Sequence, residues 1–387
     1  MAGRSRQRFA ATWSKAGAGN ERGFHKEETE ERALNILYVA YPLLPVNAES
    51  GGGAEQMLWL LEREMHRRGH RTTVACSLGS QVAGELALTS SGAQGNDQFE
   101  HCNANHIANV CQLVRAREKA GDPFDLVHDE SGSFWIHARR ISTSVLATLH
   151  LPRNFYPSHA WRDIAPNVSF NCVSYAQAAT FSNLADVIQT IPNGIDLQQY
   201  RLRNRKADYL LWLGRICEEK GAHIALDVAC RANTKLVLAG KLYPFSYHQQ
   251  YCEREIIPGL QRANGKVVFV DSPSVRKKVE LLQKARAVLV PSLADETSSL
   301  VAMEAMACGT PVIALRRGAL PEVVADGVTG FVVDSPMEML GALSRVAEIA
   351  PRRCRKRAEK YFDGGRMCDE YEQLYENILT REVRMVA

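Results

Sequence analysis

The segment "AVLVPSLADETSSLVAMEAMACGTPVIAL", residues 287–315, reads as strand, loop, helix and strand. "AVLVP" and "TPVIAL" are short continuous apolar runs, which suit strands buried on both faces. Between them, 299–308 is small, apolar and rich in good helix formers. Ser298 or Ser299 is the expected cap of this helix, with Thr297 in the preceding loop. Glu304 is the single charge inside it, more than a turn from its start. Glu296 lies eight positions earlier, at the strand exit. A lone buried carboxylate is costly unless it is hydrogen-bonded or protonated. A ligand diol such as a ribose supplies two donors for it; a nearby backbone group or an Arg would satisfy it equally. The helix N-terminus offers backbone N–H groups to a ligand.

Working outward, the same alternation fills the chain. Strands are expected at 35–41, 72–76, 125–128, 144–149, 168–173 and 187–191. A second series falls at 208–213, 235–239, 266–270, 287–290, 311–315 and 330–333. Helices are expected between most of them, at 53–68, 175–184, 221–232, 274–284 and 299–308. Apolar strands alternating with helices indicate parallel sheets covered on both faces, and two series indicate two doubly wound domains. The joint falls near "TIPNGIDLQQY", 190–200, where Pro192, Asn193 and Gly194 break the pattern. The tail reads as a helix over about 363–381, with Tyr371, Leu374, Tyr375 and Ile378 at helical spacing.

The 387 residues suffice for two domains, and the net charge of +4 is too mild to argue for nucleic acid. Ten cysteines form no CxxC pair and no cluster with metal spacing, so the chain reads as a reduced protein without structural zinc. No apolar run is long enough to span a membrane. The N-terminus lacks a signal core and carries Arg4, Arg6, Arg8 and Lys15 with no acid among its first fifteen residues. Its composition is that of a disordered extension, and a basic tail touching a membrane is the alternative.

Three further constellations stand at strand exits, where open α/β sheets bind ligands. In "LLWLGRICEEKG", 210–221, Arg215 and Lys220 lie beside a helix N-terminus and suit a doubly charged anion, unless they merely pair with Glu218 and Glu219. In "PVNAESGGGAEQM", 45–57, Gly51, Gly52 and Gly53 open a helix and let backbone N–H groups approach a phosphate, although the loop is neither a Walker motif nor G-x-G-x-x-G. His128 and His150 end two strands. His150 stands out because the loop behind it, with Arg153, Phe155, Tyr156 and Trp161, is long, aromatic and basic.

These pieces, in this order, resemble glycosyltransferase family 4 of bacterial type, retaining enzymes with the GT-B architecture. The resemblance covers roughly 34–382. It is carried most by E-x7-E from Glu296 to Glu304, then "ACGTPV", "GALPEVV" and "DGVTG", with "GGGAE", "IPNGID" and the tyrosine-rich final helix in support. It implies two Rossmann-like domains facing a cleft: an extension over 1–33, an acceptor domain over 34–192, a linker over 193–207, a nucleotide-sugar domain over 208–360, and a segment over 361–387 that returns to the first domain. It implies a hexosyltransferase-type enzyme moving a sugar from a nucleoside diphosphate sugar, a UDP-sugar among the candidates, to an unknown acceptor hydroxyl on a glycan, a lipid-linked sugar or a small molecule. No cofactor and no metal are expected, no nucleic acid is a partner, and the location is cytoplasmic, with a peripheral contact at the inner face of the membrane left open.

By that resemblance Glu304 holds the ribose and Glu296 bonds the sugar ring. Arg215 and Lys220 neutralise the diphosphate, Gly52 and Gly53 approach it from the other domain, and His150 sits by the reacting carbon. Backbone N–H groups of Ser298, Ser299 and Leu300 complete the nucleotide-sugar site. Many family members read E-P-F-G-L where this chain has Glu296-Thr297-Ser298-Ser299-Leu300, which leaves the identity of the sugar open. A nucleotide-sugar epimerase on the same architecture and a non-catalytic two-lobed sugar-binding protein are the rival readings.

Overall fold

The computed structural model describes residues 32–92, 99–184 and 188–386. The basic N-terminal extension therefore lies outside the described residues, and the architecture belongs to the compact unit Ala33–Ala387.

Two parallel sheets form the frame. The first contains β1 (Asn35–Val39), β2 (Arg71–Ser77), β3 (Glu85–Ser90), β4 (Leu126–Asp129), β5 (Val145–Leu149), β6 (Val168–Cys172) and β7 (Ile188–Thr190). Their spatial order is β3-β2-β1-β4-β5-β6-β7. The second contains β8 (Leu210–Leu213), β9 (Leu236–Gly240), β10 (Val267–Asp271), β11 (Ala287–Val290), β12 (Val312–Leu315) and β13 (Gly330–Val333), in the order β10-β9-β8-β11-β12-β13. Every residue of β1, β4, β5, β11, β12 and β13 is buried, as continuous apolar strands require when helices cover both faces.

Each sheet reverses its winding once, between β1 and β4 and between β8 and β11. At such a reversal the connections leave on opposite faces, and a crevice opens beyond the strand ends. The exits of β1, β4 and β5 carry the triple glycine, Glu130 and His150; those of β8 and β11 carry Arg215 and Glu296.

Three details depart from expectation. The edge strand β3 stands where no strand was expected; half of its residues are exposed, so it lacks a continuous apolar run. A helix, Phe99–Lys119, lies between β3 and β4 where no helix was singled out. The helix expected over 175–184 is only Tyr175–Ala179, followed by a 3-10 turn at Ser182–Leu184.

The final helix, Gly364–Val386, returns to the first sheet. Met367, Cys368, Tyr371, Leu374, Tyr375 and Ile378 share one core with Ile36, Tyr38, Leu58 and Leu61. Arg68 fixes its rim through Glu372 and, at 2.6 Å, Asp369. The two crossing connections lie side by side, bridged at Ile195 and Asp363. Gly194 permits this: a Cβ there would lie 2.7 Å from the Asp363 carbonyl oxygen. All ten cysteines are free, and among the described residues no helix is long and apolar enough to cross a membrane.

Candidate active site

The second half supplies an acidic and cationic cluster. After β8 the chain passes Arg215 and turns through Glu218–Lys220 into Gly221, whose φ of 65° and whose close approach to the Pro291 carbonyl both exclude a side chain. That turn aims Lys220 at the loop after β11. Its Nζ lies 2.7 and 2.9 Å from the two carboxylate oxygens of Glu296, and Ser292 Oγ donates to the same carboxylate. Glu218 instead pairs with Arg254 at 3.0 Å, so the simple surface pairing of Lys220 with its neighbours is not built. Arg215 is exposed and has no ion-pair partner among the described residues.

Glu304 is 2% exposed. Its Oε1 accepts from Tyr200 Oη and Lys278 Nζ, both at 2.7 Å. Its Oε2 is buried and has no hydrogen-bond partner. The carboxylate is thus half satisfied, by residues other than the backbone group or Arg expected from spacing. Its helix, Leu300–Ala307, is held at the far end by Lys206 and Arg355, which donate to the carbonyls of Cys308 and Ala307. Cations there oppose the negative end of the helix dipole. At the near end Ser299 occupies the cap position, yet its hydroxyl makes no capping bond, and Ser298 Oγ is buried without a partner. The expected side-chain cap is therefore absent, which leaves the first N–H groups of the helix without a side-chain acceptor.

The first half closes onto this cluster. Gly52 caps the helix Gly53–Arg67. A Cβ on Gly51 would lie 2.7 Å from Tyr243 Oη, and one on Gly53 would lie 3.7 Å from Leu300 Cδ1, so the glycine loop lies against two elements of the second half. Thr297 Oγ1 donates to the His150 carbonyl at 2.8 Å. Glu49 accepts from the Val275 N–H at 3.0 Å, and Glu322 from the Tyr175 N–H at 3.1 Å.

Glu55 lies in the first turn of the helix that the glycine loop opens, and it is buried. Burial raises its pKa above the usual carboxylate range, against the opposing effects of its own backbone N–H, His150 and Arg215. Glu62 on the same helix is a useful contrast. It is fully buried but satisfied by Thr72 Oγ1, Ala83 N and Gly84 N at 2.7, 3.0 and 2.8 Å, which makes it a structural acid.

All the residues singled out from the sequence, namely Gly52, Gly53, His150, Arg215, Lys220, Glu296, Ser298, Ser299, Leu300 and Glu304, fall at the facing strand exits or on the helix behind them. His128 is different: it is fully buried behind the crevice. Sequence reasoning did not single out Glu55, Glu130, Tyr200 and Lys278 as site residues. Glu55 had a signal, an acid two positions after three glycines. Lys278 had none, since it lies in a run of charges typical of a solvated helix face.

Two family models match adjacent stretches: Glycosyltransferase Family 4 over 51–199 and Glycosyl transferases group 1 over 196–361. The lipopolysaccharide 1,2-N-acetylglucosaminetransferase of Salmonella typhimurium is 28% identical over 170 residues, 40% of this chain and 45% of that protein, so the match spans less than half of the relative. Among solved structures, the sucrose-phosphate synthase of Thermosynechococcus elongatus superposes with a TM-score of 0.73 at 20% identity, covering 90% of this chain and all of that one. HepE of Anabaena, solved in complex with UDP and glucose, superposes with a TM-score of 0.70 at 18% identity, covering 89% and 99%. At these identities the likeness speaks for the fold. With two contiguous family matches and two parallel sheets facing a shared crevice, the chain belongs to the family 4, group 1 glycosyltransferases of GT-B architecture.

Proposed function

We propose that this protein transfers a sugar from a nucleoside diphosphate sugar to an acceptor hydroxyl, with retention at the anomeric carbon and without a bound divalent metal. The observation that carries the reading is the half-satisfied Glu304: a buried carboxylate oxygen awaits a donor, and a ribose diol supplies one. Glu296 takes a hydroxyl of the transferred sugar. Arg215 and Lys220 meet the diphosphate, with the uncapped N–H groups of Ser298, Ser299 and Leu300 and the loop at Gly52 and Gly53 adding backbone donors. His150 faces the transferred sugar.

The mechanism follows from charge. Cleavage of the sugar–phosphate bond builds negative charge on the diphosphate and positive charge on the anomeric carbon. Two cations and a helix N-terminus stabilise the first. The acceptor hydroxyl attacks from the leaving-group face, its proton passes to the departing phosphate oxygen, and configuration is kept. Contacts between the halves, such as Thr297 to His150, exclude water from the reacting carbon.

Calorimetry with UDP, GDP and ADP, followed by turnover of the matching sugar nucleotides in EDTA, tests this. Binding of one nucleoside diphosphate and chelator-resistant transfer with a retained anomer are expected. Activity abolished by EDTA and restored by magnesium or manganese overturns the metal-free part. Donor interconversion without an acceptor points to an epimerase instead.

A further inference from the structure

The fold places a second carboxylate, Glu130, directly behind His150. It follows the last residue of β4, its side chain is 2% exposed, and it is wedged between two imidazoles. Glu130 Oε2 bonds His150 Nε2, while Oε1 lies 3.2 Å from His128 Nε2. His128 is fixed in turn: its Nε2 lies 2.7 Å from Thr148 Oγ1, and its Nδ1 2.8 Å from Tyr375 Oη on the returning helix. Tyr38 Oη lies 3.3 Å beyond Tyr375 Oη.

The proton directions in this chain are mutually consistent. A carboxylate only accepts, so the His128 Nε2 that faces Glu130 and Thr148 carries the proton, and Tyr375 Oη donates to the remaining Nδ1. Burial keeps His128 neutral, with its pKa pushed down to about 4. His150 is then the imidazole that meets the charge of Glu130. A ring nitrogen facing a carboxylate carries its proton, so Nε2 is the protonated nitrogen and Nδ1 is the acceptor nitrogen of the ring. The other titratable groups around this pair are Asp129 beside Glu130, Tyr38, Tyr371 and Tyr375 behind it, and Glu55 on the crevice side. The trio of two histidines and Glu130 is not arranged to hold a metal ion.

We infer that Glu130 is the positioning residue of His150: it fixes the tautomer and ring orientation so that Nδ1 meets a hydroxyl of the bound sugar or acceptor. The inference rests on the reading that His150 faces the transferred sugar.

The test is nitrogen-15 NMR of the histidines in the full chain, with kinetics on Glu130→Gln and His150→Ala. Turnover is read as nucleoside diphosphate released from whichever of UDP-, GDP- and ADP-glucose the wild type consumes. The wild-type spectrum is expected to show His150 protonated at Nε2. Glu130→Gln is expected to mix the tautomers, lower kcat on the order of 10–100-fold with KM nearly unchanged, and displace the pH profile of kcat. A wild-type His150 protonated at Nδ1 alone overturns the inference without any variant. So does a Glu130→Gln protein with normal kcat and pH profile while His150→Ala is impaired. A fully active His150→Ala protein removes the underlying reading instead, which separates the two failures.

Discussion

Thr297 and His150 belong to different halves of the molecule, and the hydroxyl of the first donates to the main-chain carbonyl of the second at 2.8 Å. The bond exists because the chain carries Thr where E-P-F-G-L sequences carry Pro, which has no hydroxyl to offer. Thr297→Val keeps the shape and deletes the donor. The loss is about 1 kcal/mol of closure energy, roughly a five-fold rise in the apparent KM for the sugar nucleotide. Small-angle scattering on adding whichever of UDP, GDP and ADP binds should show weaker compaction than in the wild type. Identical KM and identical compaction would show that the bond contributes nothing to closure.

Glu304 and Glu296 carry separate duties in the proposed reaction. Glu304→Gln is expected to weaken nucleoside diphosphate binding by about 1–3 kcal/mol, the scale of a hydrogen bond to a charged group. Glu296→Gln should leave that binding almost unchanged and slow transfer. Titration calorimetry with free UDP, GDP and ADP compares them, and equal losses of affinity in both variants overturn the assignment.

His106 gives the fold an acid sensitivity outside the site. It is fully buried against Thr89, and burial pushes its pKa from 6.5 down to about 4. The unfolded chain therefore binds this proton more readily than the folded one. The stabilising contribution is full above about pH 6.5 and is lost as pH falls toward 4. At pH 5 the loss is on the order of 2 kcal/mol. Asp129 works in the opposite sense, since burial lifts it to about 6 and its contribution fades as pH rises through that value. The stability difference between wild type and His106→Gln isolates the histidine, and it should shrink between pH 7 and 5 in chemical denaturation. A constant difference contradicts the burial argument.

Removal of the returning helix by truncation after Tyr361 is expected to destabilise the first half by several kcal/mol. Tyr371, Leu374, Tyr375 and Ile378 are all buried there, and each contributes about 1.5–3 kcal/mol. Denaturation should begin at lower denaturant and split into two transitions. A truncated chain with one unchanged transition would make the helix an accessory segment.

The sequence by itself determined the architecture. Continuous apolar strands admit only a sheet covered on both faces, and their two series separated by "TIPNGIDLQQY" require two sheets. It also determined the nature of Glu304, because a charge inside an apolar helix needs a partner wherever it lies, and it put Glu296 at the strand exit before that helix. Strand exits were legible from the same pattern, so Arg215, Lys220, the glycine loop and His150 could be placed before any coordinates. What the sequence left undecided was pairing across distance. Lys278 reaches Glu304 from 26 positions away, Lys220 reaches Glu296 from 76, and Tyr375 reaches His128 from 247. No periodicity encodes such contacts, since they arise only when sheets and crossing helices set side chains within about 3 Å. The same limit hid Glu130: adjacent to Asp129 in the chain it looked like one more loop acid, and only the stacking of β4 beside β5 put its carboxylate between two histidines.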